Sequence, residues 1–384
     1  MKVLILGHTG LEKIPFLEKV RKLAEGQGKF LEIYDLETQT QSLCGANSPF
    51  HLDQYFTKKD EFIKNRAEAL ELIIEKERKE NPRNCVLNVH ATYRRRLTPF
   101  HVLHYKLLAE FRPDMLITLI DDVYRVQARI KRKAETIADI PTAKITLKDI
   151  MEWRSDEIMI AESIATFLSS SFGRPLPHYI VPLRGGERVV YQLMFESREA
   201  LNGQAGWKPK AYIGFPITKA YSDESLRKER EEFRKRMKEL DLIVFDPYAI
   251  EERKLVSSLE KALKQQPPPD YIEVVSEDGE RFKVDTKEAQ MVSEDIKVQV
   301  AIRDYKLIHQ SDFFAGYRPA HSSGERSEIQ YANQLGRPVY VVWPPDDPPA
   351  DDFKNLAIND RKDDLDSFIE LIRQKVIPFF TQTK

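Results

Sequence analysis

The chain has 384 residues, about two and a half times the roughly 150 residues of a typical domain, which excludes one small core and predicts two domains, or two with an insertion. Lys plus Arg number 60 against 61 for Asp plus Glu, a net charge of −1, which excludes the global positive field of a dedicated nucleic-acid or anionic-membrane binder. With 41% hydrophobic and 32% charged residues the chain is globular rather than disordered, and its two cysteines, Cys44 and Cys85, exclude a disulfide framework and a cysteine zinc site.

The start, MKVLILGHTG, holds an apolar run too short for a signal peptide, and no stretch approaches about 20 apolar residues, so a cytoplasmic protein is expected. Short apolar runs then alternate with amphipathic stretches, the pattern of a parallel sheet covered by helices. The runs are Lys2 to Leu6, Phe30 to Tyr34, Asn84 to Val89, Met115 to Ile120 and Tyr179 to Pro182. The helical stretches are Pro15 to Glu25, Lys58 to Glu80, Pro99 to Phe111 and Ile150 to Ser170.

A Gly, Pro and polar segment at 201–209 marks a boundary, giving domains over 1–200 and 210–384. The second αβ series has strands at Ala211 to Gly214, Leu242 to Phe245, Asp312 to Tyr317 and Pro338 to Val342. Its helices are Asp223 to Leu240, Ile296 to Gln310 and Glu325 to Leu335. An insertion over about 253–295 breaks it, with a proline breaker followed by a hairpin signature turning at Asp278-Gly279. The fold class expected is α/β, with two doubly wound, Rossmann-like parallel-sheet domains.

After the first strand comes Gly7-His-Thr-Gly10-Leu-Glu-Lys13-Ile14, where a strand-to-helix turn can cradle phosphate on backbone N–H groups. Against GxxxxGK[ST], Gly7 and Lys13 fit, while Glu12 replaces the second glycine and Ile14 the Mg²⁺-binding hydroxyl. The turn, with Leu87-Asn-Val-His90-Ala-Thr92, Phe111 to Thr118 and Asp121 to Arg132, resembles the archaeal-type adenylate kinases, of the P-loop nucleoside monophosphate kinase group. Asn88 stands where that family has a metal-side aspartate. The resemblance implies nucleotide contacts at Gly7, Gly10, Lys13, Arg129 and Arg132, and Arg94 of the Arg94-Arg-Arg96 run is a further phosphate clamp. With the Mg²⁺ ligands and a loop glycine gone, the domain is expected to bind nucleotide or serve as a scaffold rather than transfer phosphate.

In the second half, Asp304 falls on a helix and Asp312 opens a strand. A loop with Ser322 and Gly324 then leads into a helix carrying Glu328, so that a helix N-terminus offers an anion site and two carboxylates can converge on the sheet's ligand edge. With Tyr212-Ile-Gly214-Phe-Pro-Ile-Thr218, these residues resemble the nucleoside 2-deoxyribosyltransferase family, including its branch that hydrolyses deoxynucleoside 5′-monophosphates; Phe215 replaces a family glycine.

The resemblance implies Glu328 as nucleophile, Asp304 as sugar-positioning and proton-transferring group and Tyr212 as active-site tyrosine. It also implies Ser322 and Gly324 as the phosphate site, with Asp312 and Gly214 as secondary binding residues. Cleavage or transfer of an N-glycosidic bond through a glycosyl-enzyme intermediate is the expected reaction, with no cofactor required and no metal site, since no ligand spacing such as HExxH occurs. The partners expected are a small nucleotide substrate and, by resemblance, further copies of the chain, without nucleic acid or membrane. A TIR-like NAD glycohydrolase, which uses a similarly placed glutamate, and a catalytically inactive nucleotide sensor are the alternatives.

Overall fold

The computed structural model describes residues 1–44, 58–95, 98–136, 145–216, 223–318, 323–345 and 355–382. The chain forms two compact units, Met1–Arg188 with Lys254–Ser293, and Val189–Arg253 with Glu294–Lys384. Each is built on a five-stranded, wholly parallel sheet flanked by helices, the doubly wound α/β architecture expected.

The chain runs β1 (Lys2–Leu6), α1 (Lys13–Gly26), β2 (Glu32–Asp35), α2 (Leu36–Leu43), α3 (Lys59–Glu80), β3 (Cys85–Asn88), β4 (Thr92–Arg95) and β5 (Thr98–His101). It continues through α4 (Tyr105–Phe111), β6 (Met115–Ile120), α5 (Val123–Thr136), α6 (Leu147–Phe172), β7 (His178–Pro182) and α7 (Gly186–Phe195). The sheet order is β2-β3-β1-β6-β7. The central strands read as unbroken apolar runs because both their faces are buried: Leu4, Leu6, Leu87 and Leu116 pack with Leu70 and Ile73 of α3 and Ile164 and Leu168 of α6 on one face, and Val3, Ile5, Val86 and Ile117 are fully buried on the other. A capping box fixes the start of α6, with Thr146 and Asp149 bonding each other's backbone N–H.

The helix expected from Pro99 to Phe111 is instead a strand followed by one short helix. Pro99 lies in a two-stranded antiparallel hairpin, β4–β5, in which Tyr93 faces Phe100 across the strands with ring centroids 5.8 Å apart. Phe62 of α3 closes this aromatic cluster edge-on against Tyr93. A cross-strand aromatic pair with a third ring behind it outweighs the local pattern, and proline is tolerated in a strand that has an open edge.

The second series has β8 (Lys210–Gly214), α8 (Glu224–Lys238), β9 (Ile243–Phe245), α9 (Glu252–Ala262), the hairpin β10 (Tyr271–Val275) and β11 (Arg281–Asp285), and α10 (Thr286–His309). Then follow β12 (Phe313–Tyr317), α11 (Ser323–Gln334), β13 (Val339–Val342), β14 (Asp360–Lys362) and α12 (Leu365–Leu371). The sheet order is β14-β13-β12-β8-β9. In order of appearance this is the 2-1-3-4-5 arrangement, whose strand order reverses between β8 and β12, the crevice where open α/β sheets take ligands.

The inserted hairpin belongs with the first unit. Ile272, Val274, Phe282 and Val284 alternate inward, and the Phe282 ring meets Tyr124 of α5 at 5.1 Å. Its acidic turn holds Arg125, which donates to both oxygens of Asp278 at 2.9 Å and to Glu280 at 2.7 Å. The body of the second unit begins at Val189, ahead of the Gly- and Pro-rich stretch at 201–209. No described helix is long and apolar enough to cross a membrane.

Candidate functional site

Parallel pairing sets Gly214, the last residue of β8, beside Gly316 of β12. α11 starts just beyond β12 and turns its first residues back over this pair. The carboxyl of Glu325, on the first turn, fills the space above both glycines. A Cβ on Gly214 would lie 2.5 Å from the Phe314 ring and 3.1 Å from Glu325 Oε1, and one on Gly316 3.0 Å from both, so a side chain at either position would crowd the ring and the carboxyl together. Glu325 is 1% exposed, and burial, with the nearby Glu328 charge added, holds its carboxyl well above the usual range.

One helical turn further along α11, the partly exposed Glu328 meets Tyr212 from mid-β8 and Asp304 from α10. Burial and the Asp304 charge push the Glu328 carboxyl up to about 8, against the opposing pull of Tyr212, Arg303 and Arg253. Asp304 is also raised, by burial, although its Oδ1 accepts from Arg303 Nε at 2.9 Å and from Nη2 at 2.7 Å. The Tyr212 hydroxyl and Arg303 Nη1 are buried and make no well-aligned hydrogen bond to described residues. The hydroxyl still faces Glu328 closely enough to favour that group's charged form. Two groups that can donate are thus held beside two carboxyls of raised pKa, an arrangement suited to acid–base and nucleophilic work at a sugar carbon.

Of the residues singled out from sequence, Tyr212, Asp304 and Glu328 come together, with Gly214 one turn above them. Gly324 is exposed on the first turn of α11, and Ser322 lies outside the described residues. Asp312 stands at the other end of the sheet: it precedes β12, its Oδ2 accepts from the Lys210 N–H at 2.7 Å, and it ties the starts of two strands rather than entering the crevice. Glu325 was not among the expected residues. Its signal was the pair of glycines at two strand ends, which acquires meaning once the strands are set in register.

In the first unit the phosphate-loop-like turn is filled from within. Glu157 of α6, fully buried, accepts from the N–H groups of Gly7 and Ala91 at 3.2 Å, and from the N–H of Thr92 at 2.8 Å and its hydroxyl at 3.0 Å. Lys13 donates to the Gly7 carbonyl and lies 3.2 Å from His90 Nδ1; burial lowers its pKa to about 8. His8, buried against Trp153, is pushed down to about 3 and is neutral.

Glu12 adopts a left-handed backbone (φ 52°), with its side chain toward Lys133 at 3.6 Å. Arg129 pairs with Asp121 at 2.6 Å and donates to the Gly10 carbonyl at 3.3 Å. Arg132 is exposed on α5, and the Arg94 side chain lies outside the described residues. Among the described residues no cluster of His, Cys, Asp and Glu has the geometry of a metal site.

No family model matches the chain, and no curated protein matches it.

Proposed function

We propose that the second unit cleaves the N-glycosidic bond of a (deoxy)nucleoside 5′-monophosphate and passes the sugar to water or to a second base. The observation that carries this reading is the convergence of Tyr212, Asp304 and Glu328, from three separate segments, beside the strand-order reversal of the sheet. The Glu328 carboxylate attacks C1′ as the bond to the base breaks and the base carries away the electron pair. Tyr212 and Arg253 favour the ionised nucleophile, and Asp304, held by Arg303, positions the sugar. The start of α11 at Ser323 and Gly324 receives the 5′-phosphate, with Ser322 in the role the resemblance implies.

The first unit acts as a scaffold or regulatory nucleotide-binding part rather than as a kinase. Glu157 already occupies the Gly7 N–H that a phosphate would need, which weighs against phosphoryl transfer there. Assembly of several copies, in keeping with the resemblance, is read by light scattering.

Base release from a panel of nucleoside and deoxynucleoside monophosphates, followed by chromatography, tests the reading. Wild type is expected to release base and Glu328→Gln to lose at least about 1,000-fold. Equal release by both, or none from any nucleotide, rejects it. Nicotinamide release from NAD without base release from monophosphates assigns the same glutamate to a glycohydrolase instead.

A further inference from the structure

We propose that Glu325 is the acid that protonates the departing base, a role resting on the glycosidic reaction assigned to Glu328. The leaving nitrogen of an ordinary nucleobase is a poor leaving group until it gains a proton, so the reaction needs a donor on the base side of the sugar. Asp304 is badly suited to that task, because its carboxylate is held by two guanidinium N–H groups of Arg303 that stabilise its ionised form.

Glu325 is placed differently. Its carboxyl projects from the first turn of α11 into the crevice at the strand-order reversal, above Gly214 and Gly316, one helical turn from Glu328 and on the same face of the helix. The two glycines leave that space to the carboxyl and the Phe314 ring, both of which a side chain at either position would crowd. Its surroundings disfavour ionisation: burial and the Glu328 charge raise its carboxyl against the pull of a hydrogen bond from the Tyr317 backbone, and the ring of Phe314 lines the same glycines. Buried hydrogen-bonding capacity at Tyr212 and Arg303 marks the same crevice as built for a polar ligand.

The chemistry balances. As Glu328 Oε bonds to C1′ and the C1′–N bond breaks, the electron pair goes to the base nitrogen system and the Glu325 proton follows it, so the base leaves neutral. Glu325, now a carboxylate, removes a proton from water as that water attacks C1′ of the glycosyl ester. Glu328 is released and Glu325 regains its proton, giving free base and sugar phosphate from nucleotide and water.

The test compares two leaving groups in wild type, Glu325→Gln and Glu328→Gln. One is a neutral base, as in deoxyadenosine or deoxycytidine monophosphate. The other is already cationic, N7-methylguanine in its deoxynucleoside monophosphate. Glutamine keeps the volume above the glycines and holds no proton to give. Glu325→Gln is expected to lose about 100-fold or more in kcat on the neutral base, and the ratio of cationic to neutral rates to rise at least about 30-fold over wild type. Thermal unfolding of each variant accompanies the assay.

An unchanged ratio, whether both rates fall together or neither falls, overturns the assignment of Glu325 while leaving the glycosidase reading intact if Glu328→Gln is inactive. Wild type inactive on both substrates overturns that reading and this one with it.

Discussion

Glu157 accepts four hydrogen bonds, three from backbone N–H groups and one from a hydroxyl, with Lys13 nearby, whereas Glu328 faces a phenol and a second carboxyl. Burial raises both carboxyls, but donors and Lys13 oppose the rise at the first, whereas the charge of Asp304 adds to it at the second. The difference is measurable as linkage. The folded-state pKa of Glu328 stands at about 8 against 4.5 for an ordinary glutamate, so between those values the native protein binds more protons than the unfolded chain and stability falls as pH rises. His8 acts in the opposite sense over an interval that overlaps the lower part of this window: depressed from 6.5 to about 3, it makes stability rise with pH across that interval. Between about pH 6.5 and 8 the His8 contribution is flat, so the melting temperature is expected to decline with pH. Glu328→Gln is expected to flatten that decline, measured by calorimetry in matched buffers. A variant with the wild-type slope would show that the carboxyl titrates normally.

The hairpin β10–β11 shows how an element with little core of its own is held. Its inward residues cover Tyr124, and its turn concentrates Asp278 and Glu280 on Arg125, a side chain 7% exposed and also paired with Asp122 at 3.4 Å. The Arg125 guanidinium stacks over Phe282 at 5.1 Å, so charge and aromatic contact act on one arginine. The two acids are themselves about half exposed, which limits their worth to about 1–2 kcal/mol together. Replacing both, Asp278→Ala with Glu280→Ala, is therefore expected to accelerate amide exchange over 271–285 by roughly tenfold while leaving exchange in β1 and β6 unchanged. Uniform acceleration across the unit would mean that the hairpin opens only with the whole sheet.

At the scale of the molecule, the strands of both sheets are legible from sequence to within about two residues, because strands covered on both faces must be apolar throughout. The short edge strand β14, the helix α12 after it and the hairpin β4–β5 escape that reading: each is stabilised by distant neighbours more than by its own pattern. At the site, Tyr212, Asp304 and Glu328 are legible because their residue types carry chemistry. Asp312 is misleading because sequence shows that it adjoins a strand but not which sheet edge it occupies. Glu325 reads from sequence only as the opening residue of the helix expected over Glu325 to Leu335. Domain membership is hidden for a related reason, since a hairpin signature states how two strands pair and nothing about what covers them.

The assignment of 254–293 to the first unit therefore has an energetic content of its own. A fragment of residues 1–188 lacks Phe282 and the inward face of the hairpin, leaving Tyr124, 1% exposed in the intact chain, open to water. Losing that shared apolar cover costs about 2–4 kcal/mol, which for a unit of this size is a fall of roughly 5–15 °C in melting temperature. The same fragment joined by a flexible linker to 254–293 is expected to recover most of that loss, read by thermal unfolding and by binding of a hydrophobic dye. Equal melting temperatures for the two fragments would show that the hairpin rests on the first unit without stabilising it, and that 1–188 is the whole of its cooperative core.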